Sequence, residues 1–177
     1  SNSSYIPTSS GVYNISMWGT GDSATTNTSS LKTIVTDYVY GRDNDIPDGW
    51  WRVGRPCGGQ KLGVSYDIYN DVSLYAIEAH IDGASVIGSV LKAELYEDDI
   101  AADPSTDPVY IHETDDYVIT AADTGNWVTI PFDEGKQLYA GTSYVAVISG
   151  NPNPTDTFQV STSSGQEGGC WIQDNGC

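Results

Sequence analysis

Basic side chains are scarce in this chain. Seven Lys and Arg stand against 24 Asp and Glu, a formal charge of −17 over 177 residues. A field of that sign repels phosphate backbones and anionic headgroups, which argues against nucleic-acid binding and against docking on a charged membrane surface. It favours solubility and attracts divalent cations. Imidazole is nearly absent, with His80 and His112 the only two histidines. Neither lies in a nucleophile turn such as G-x-S-x-G, and with 24 carboxylates a glycosidase pair could be drawn almost anywhere, so no enzyme is expected. No apolar run is long enough for a membrane-spanning helix, so no membrane insertion is expected. Methionine occurs once and no 3.6-residue apolar stripe is sustained, which leaves little room for helix. The three cysteines include no C-x-x-C metal spacing.

What the chain does have is turns and strand-forming aromatics. Nineteen Gly, twelve Tyr and five Trp suit an all-β protein. Apolar and polar residues alternate over 12–18, 31–40, 61–69, 74–81, 89–96, 109–112, 117–120, 127–132 and 158–161, and 144–148 is apolar throughout. About ten short strands with Gly, Asn-Asp and Asp-Gly turns predict an antiparallel two-sheet β-sandwich, jelly-roll-like. The wholly apolar 144–148 reads as a central strand buried on both faces. Residues 41–59, rich in Gly, Pro and charge, read as a long loop. Residues 20–30 are almost free of apolar side chains and read as an exposed linker. The expected organisation is therefore residues 1–30, an N-terminal extension with one strand at 11–19 and the linker, followed by a sandwich over 31–177.

Several residue groups are candidate sites. Cys170 and Cys177 bracket a short turn-rich loop and are expected to pair, leaving Cys57 unpaired, buried or joined to another chain. Asp43, Asp45 and Asp48 offer hard oxygens for Ca²⁺ on one loop, although their spacing departs from the EF-hand pattern; a solvated acidic loop is the plainer alternative. Adjacent Trp50 and Trp51 offer a platform for a sugar ring, against the plainer alternative of packing under the loop. Asn2, Asn14 and Asn27 each open an N-glycosylation sequon.

The blocks LYAIEAHID, GSVLKAELYEDD, DYVITAADTGNWVTIPF, LYAGTSYVAVISG and FQVSTSSG, in that order, resemble a β-sandwich module of secreted and surface proteins of the type IX secretion class. The likeness covers residues 61–170. It implies an extracellular, non-catalytic module, often attached to a larger protein. It also implies a last strand of P-M-I-R-L-N-F type after the final loop, where this sequence stops at Cys177. The segment SYIPTSSGVYNISMW near the N-terminus has the aromatic start and alternation of that strand. The expectation is that Val12, Tyr13, Asn14, Ile15, Ser16, Met17 and Trp18 act as a donated strand, in a homo-oligomer or filament at the cell surface. The Asp22-Ser23-Ala24 triplet resembles the O-glycosylation motif of bacteria with that secretion route, which marks Ser23. A carbohydrate-binding or adhesive module, with a glycan as partner, is the alternative function.

Overall fold

A computed structural model of the chain describes residues 8–17, 29–35, 38–41, 43, 46–53, 59–98, 107–150, 157–163 and 169–174. The chain divides into two compact units, Ser1–Gly41 and Arg42–Cys177.

The first unit is a two-stranded ribbon. Strand β1 (Gly11–Met17) pairs antiparallel with β2 (Ser29–Val35), from Gly11 opposite Val35 to Met17 opposite Ser29. The expected strand is present, but it finds a partner in its own chain. Strand β2 pairs with β1 along its whole length, and both lie in the compact unit that runs to Gly41. Tyr38, Val39 and Tyr40 lie beyond β2 and are exposed.

The second unit is an all-β sandwich of two antiparallel sheets. One sheet holds β12 (Cys170–Asp174), β4 (Gln60–Asp67), β10 (Ser143–Gly150), β6 (Val90–Asp98) and β7 (Val109–Glu113) in that order, with β8 (Tyr117–Val118) also on β6. The other runs β3 (Gly49–Arg52), β11 (Gln159–Thr162), β5 (Val72–Ile81) and β9 (Asn126–Leu138). Between the sheets lie Ile77, Ala79 and Ile81 of β5, Val128, Ile130 and Phe132 of β9, Leu91, Ala93 and Leu95 of β6, and Tyr144 and Ile148 of β10. The alternation that singled these residues out is the period-2 pleat. Strand β10 is central, as its unbroken apolar run requires: Tyr144 and Ile148 face the main core, and Val145 and Val147 are buried on the other side.

Three expectations need correction. The 41–59 loop contains β3, held by pairing with β11, and the Cys-bounded terminal loop contains β12, held on β4. Both are short, and tertiary pairing rather than local propensity makes them strands. The strand expected over 127–132 does not stop at Pro131 or Phe132. Pro131 sits on an edge strand, where a missing N–H is tolerated, and β9 continues to Leu138 across an irregularity opposite Tyr75. At that irregularity Tyr75 turns out to solvent, off the face that carries Ile77, Ala79 and Ile81. Its ring lies over Gly135, where a Cβ would come within 2.8 Å of Tyr75 Cε1. Gly141 makes the turn between β9 and β10, with φ +80°.

The outer face of the six-stranded sheet carries a second, smaller apolar cluster: Tyr96, Val145 and Val147, with Trp171 of β12 against them. Gly63 makes this possible. A Cβ there would stand 2.7 Å from Val145 Cγ1 and 2.9 Å from Val147 Cγ2. Gly63→Val should therefore destabilise the sandwich by about 1–3 kcal/mol through overpacking, read as a lowered urea midpoint with an unchanged slope. A midpoint equal to wild type would show that Val145 and Val147 do not close over this position.

Candidate functional site

The candidate site lies on the solvent side of the four-stranded sheet. Val160 and Ile81 are opposite one another and buried in the core, so their neighbours Ser161 and His80 point outward. Trp50 is opposite Ser161, and Trp127 is opposite His80. One cross-strand row therefore reads Trp50, Ser161, His80, Trp127, with one residue from each strand. Ser161 Oγ and His80 Nδ1 are 2.8 Å apart, and the His80 and Trp127 rings meet edge to face at 5.6 Å and 84°. Trp50 and Trp127 remain 54% and 44% exposed, large values for indoles within a sheet. Along the face, Thr129 Oγ1 donates to Glu78 Oε1 at 2.9 Å, and Arg52, two residues from Trp50, is exposed.

This geometry revises the sugar platform expected from adjacent tryptophans. Successive strand residues point to opposite faces. Trp51, opposite Val160, points to the other face of the sheet, where it stays 39% exposed and its Nε1 donates to Gln60 Oε1 at 2.7 Å. Trp50 and Trp51 form no common plane. Trp50 has Trp127 as its companion across the sheet, and no local motif could have revealed a partner 77 positions away.

The Ser161–His80 contact also brings a hydroxyl to an imidazole, as a nucleophile and base require. The rest of such a machine is missing among the described residues. Ser161 sits inside a regular strand rather than on a strained turn, and Glu78 is bonded to Thr129 rather than to His80. His112 is engaged elsewhere, packing on Phe132 with Nε2 3.2 Å from Asp133 Oδ1. Here it joins the edges of the two sheets, beside an open cleft of about 590 Å³ lined by Lys92, Glu113, Thr114, Asp115 and Asp116.

The outer face of the other sheet holds a charged network. Lys61 Nζ donates to Glu94 Oε2 and to the Tyr96 hydroxyl, each at 2.6 Å, and Tyr96 also donates to Glu94. Burial alone would raise the Glu94 pKa, but hydrogen bonds from Lys61, Ser149 and Tyr96 and the Lys61 charge hold it below the ordinary value. Burial opposes the charge on Lys61 as well, and its bonds to Glu94 and Tyr96 outweigh that and raise its pKa. Lys92 and Lys136 are likewise paired with carboxylates, at 2.5 Å from Glu113 and 3.1 Å from Asp133.

Asp43 and Asp48 are exposed and Asp45 lies outside the described residues. No group of three or more His, Cys, Asp or Glu among the described residues is placed to hold a metal ion. Cys170 is exposed at the start of β12 with a free thiol, while Cys57 and Cys177 fall outside the described residues, as do Asn2, Trp18, Ser23 and Asn27. Asn14 lies within β1 and is exposed. No helix among the described residues is long and apolar enough to cross a membrane. Compared with known proteins, the chain matches no family model and no curated protein sequence.

Proposed function

We propose that the chain is a non-catalytic extracellular structural subunit that polymerises by lending its N-terminal arm to a sheet edge of a neighbouring copy. The observation that carries this reading is the arm itself. It is a two-stranded ribbon with Val12, Ile15 and Met17 exposed by 57%, 44% and 65%. A two-stranded ribbon of this size is marginal in water by itself, and among the described residues β1 pairs with β2 alone. The donor is thus the ribbon rather than a single strand, and Val12–Met17 form its pairing edge.

The edges of the sandwich differ in how well they would receive it. Strand β9 carries Pro131, a bulge, and Asp133, Glu134 and Lys136, the features that block edge pairing. Strand β7 has a register shift of its own at Ile111, but it carries no proline and none of these charges over Val109, Tyr110 and Ile111, and all three are exposed. Strand addition here would satisfy backbone groups and bury apolar surface from both copies. Head-to-tail addition of this kind gives a filament unless its rotation closes. The extracellular setting is supported by the type IX resemblance and by the sequons at Asn14 and Asn27.

Electron micrographs of the purified full chain test the proposal, compared with a chain lacking residues 1–19 and with a Val109→Lys, Ile111→Lys double variant. Filaments are expected for the full chain only, and more abundantly at high salt, where repulsion between copies of charge −17 is screened. Filaments from the truncated chain would refute arm donation. Filaments from the double variant alone would move the acceptor from β7 to another edge.

A further inference from the structure

We propose that the Trp50–Ser161–His80–Trp127 row binds a neutral oligosaccharide, independently of any assembly through the arm. The row crosses the whole sheet at one level, because each member is the cross-strand neighbour of the next. Three interstrand spacings separate the two indoles, roughly 14 Å at the usual strand separation. That is longer than a single pyranose ring, so a chain of sugars fits and a monosaccharide does not span it.

The chemistry along the row alternates in the way a sugar chain does. Each end has an exposed indole whose face suits the apolar C–H face of a pyranose. Between them lie the Ser161 hydroxyl and the His80 imidazole, and beside them the Thr129 hydroxyl, the Glu78 carboxylate and the Arg52 guanidinium, all groups that pair with sugar hydroxyls. The two polar groups at the centre already hold one another, as do Thr129 and Glu78, so they are oriented before a ligand arrives. That lowers the ordering cost of binding.

Charge selects the occupant. Glu78 stands beside the row and the chain as a whole carries −17, so uronate-bearing or sulfated glycans are repelled and neutral ones are not.

The test is titration of the full chain with neutral cello-, xylo- and manno-oligosaccharides of increasing length, with oligogalacturonate as the acidic contrast. Binding should strengthen beyond the disaccharide and quench tryptophan fluorescence. Trp127→Ala and Trp50→Ala should each weaken it at least tenfold, while Tyr69→Ala, exposed elsewhere on the sandwich, leaves it unchanged. Trp127→Phe, which keeps an aromatic face, should recover part of the loss and guards against misfolding as the cause. The proposal is overturned if no neutral oligosaccharide binds at millimolar concentration, or if the acidic series binds better. It is equally overturned if both alanine variants bind as wild type, or if Trp127→Ala abolishes self-association instead of sugar binding. Because binding is read in solution without reference to polymers, its failure leaves the assembly reading untouched.

Discussion

Phe158→Ala should cost the sandwich about 3–5 kcal/mol, the range for emptying an aromatic site in a close-packed core. Phe158 is 0% exposed and lies in the main core with Val53, Ile81 and Val160. Its backbone carbonyl accepts from Val53 N at 3.0 Å, which ties the residue before β11 to the residue that follows β3. The cavity would therefore open beneath the two strands that carry Trp50 and Ser161. Their pairing is four residues long, and β11 is held on its other side by hydrogen bonds to Asp82 and Ser85. For a domain of this size the loss corresponds to a melting temperature lowered by roughly 6–20 °C. Tyr69→Ala, at an exposed position, should change it by no more than a degree or two. A Phe158→Ala protein that melts within 2 °C of wild type, on the scale of that contrast, would mean that this corner is not packed as described.

The main sheets were legible because their residues repeat with period two. The inward sets of β5, β6 and β9 could be assigned from alternation alone, and the central place of β10 followed from having no polar face. What the sequence could not disclose has two physical sources. Short strands such as β3 and β12 hold too few residues to show a period, and they exist because a neighbour offers a ladder. Irregular pairing breaks the count: where residues 132–135 of β9 stand opposite Tyr75 alone, that ring turns to solvent without any change in composition. The candidate row illustrates both. Trp50 lies in a strand too short to predict, and its companions come from strands distant in sequence. Adjacency in the chain pointed to Trp51, and the pleat turns that side chain to the other face.

The clearest electrostatic signature should come from Lys61→Met. The wild-type network holds Glu94 below its ordinary pKa despite burial. A depressed folded pKa means that the unfolded chain takes up the proton first as pH falls. The contribution is fully present above the ordinary value of 4.5 and is lost as pH falls through the lower folded value. Removing the Lys61 ammonium leaves a carboxylate at 4% exposure with only the Ser149 and Tyr96 hydrogen bonds. Breaking a buried pair in this way costs about 3–5 kcal/mol. Because Lys61 is a quarter exposed, a discounted loss of about 2–4 kcal/mol is expected near neutrality. Burial, no longer opposed by a cation, then pushes the Glu94 pKa up. The variant should regain stability as pH falls through that raised value, while wild type loses it. Urea midpoints measured from neutral pH into the acid range should converge, the deficit shrinking as Glu94 takes up its proton. Glu94→Gln, which removes the charge and keeps the shape, should show a smaller deficit that does not shrink in this way. A Lys61→Met deficit that stays constant down to the ordinary carboxylate range would show that Lys61 acts through its packed methylenes over the Tyr96 ring, 5.3 Å from its ammonium, and not through its charge.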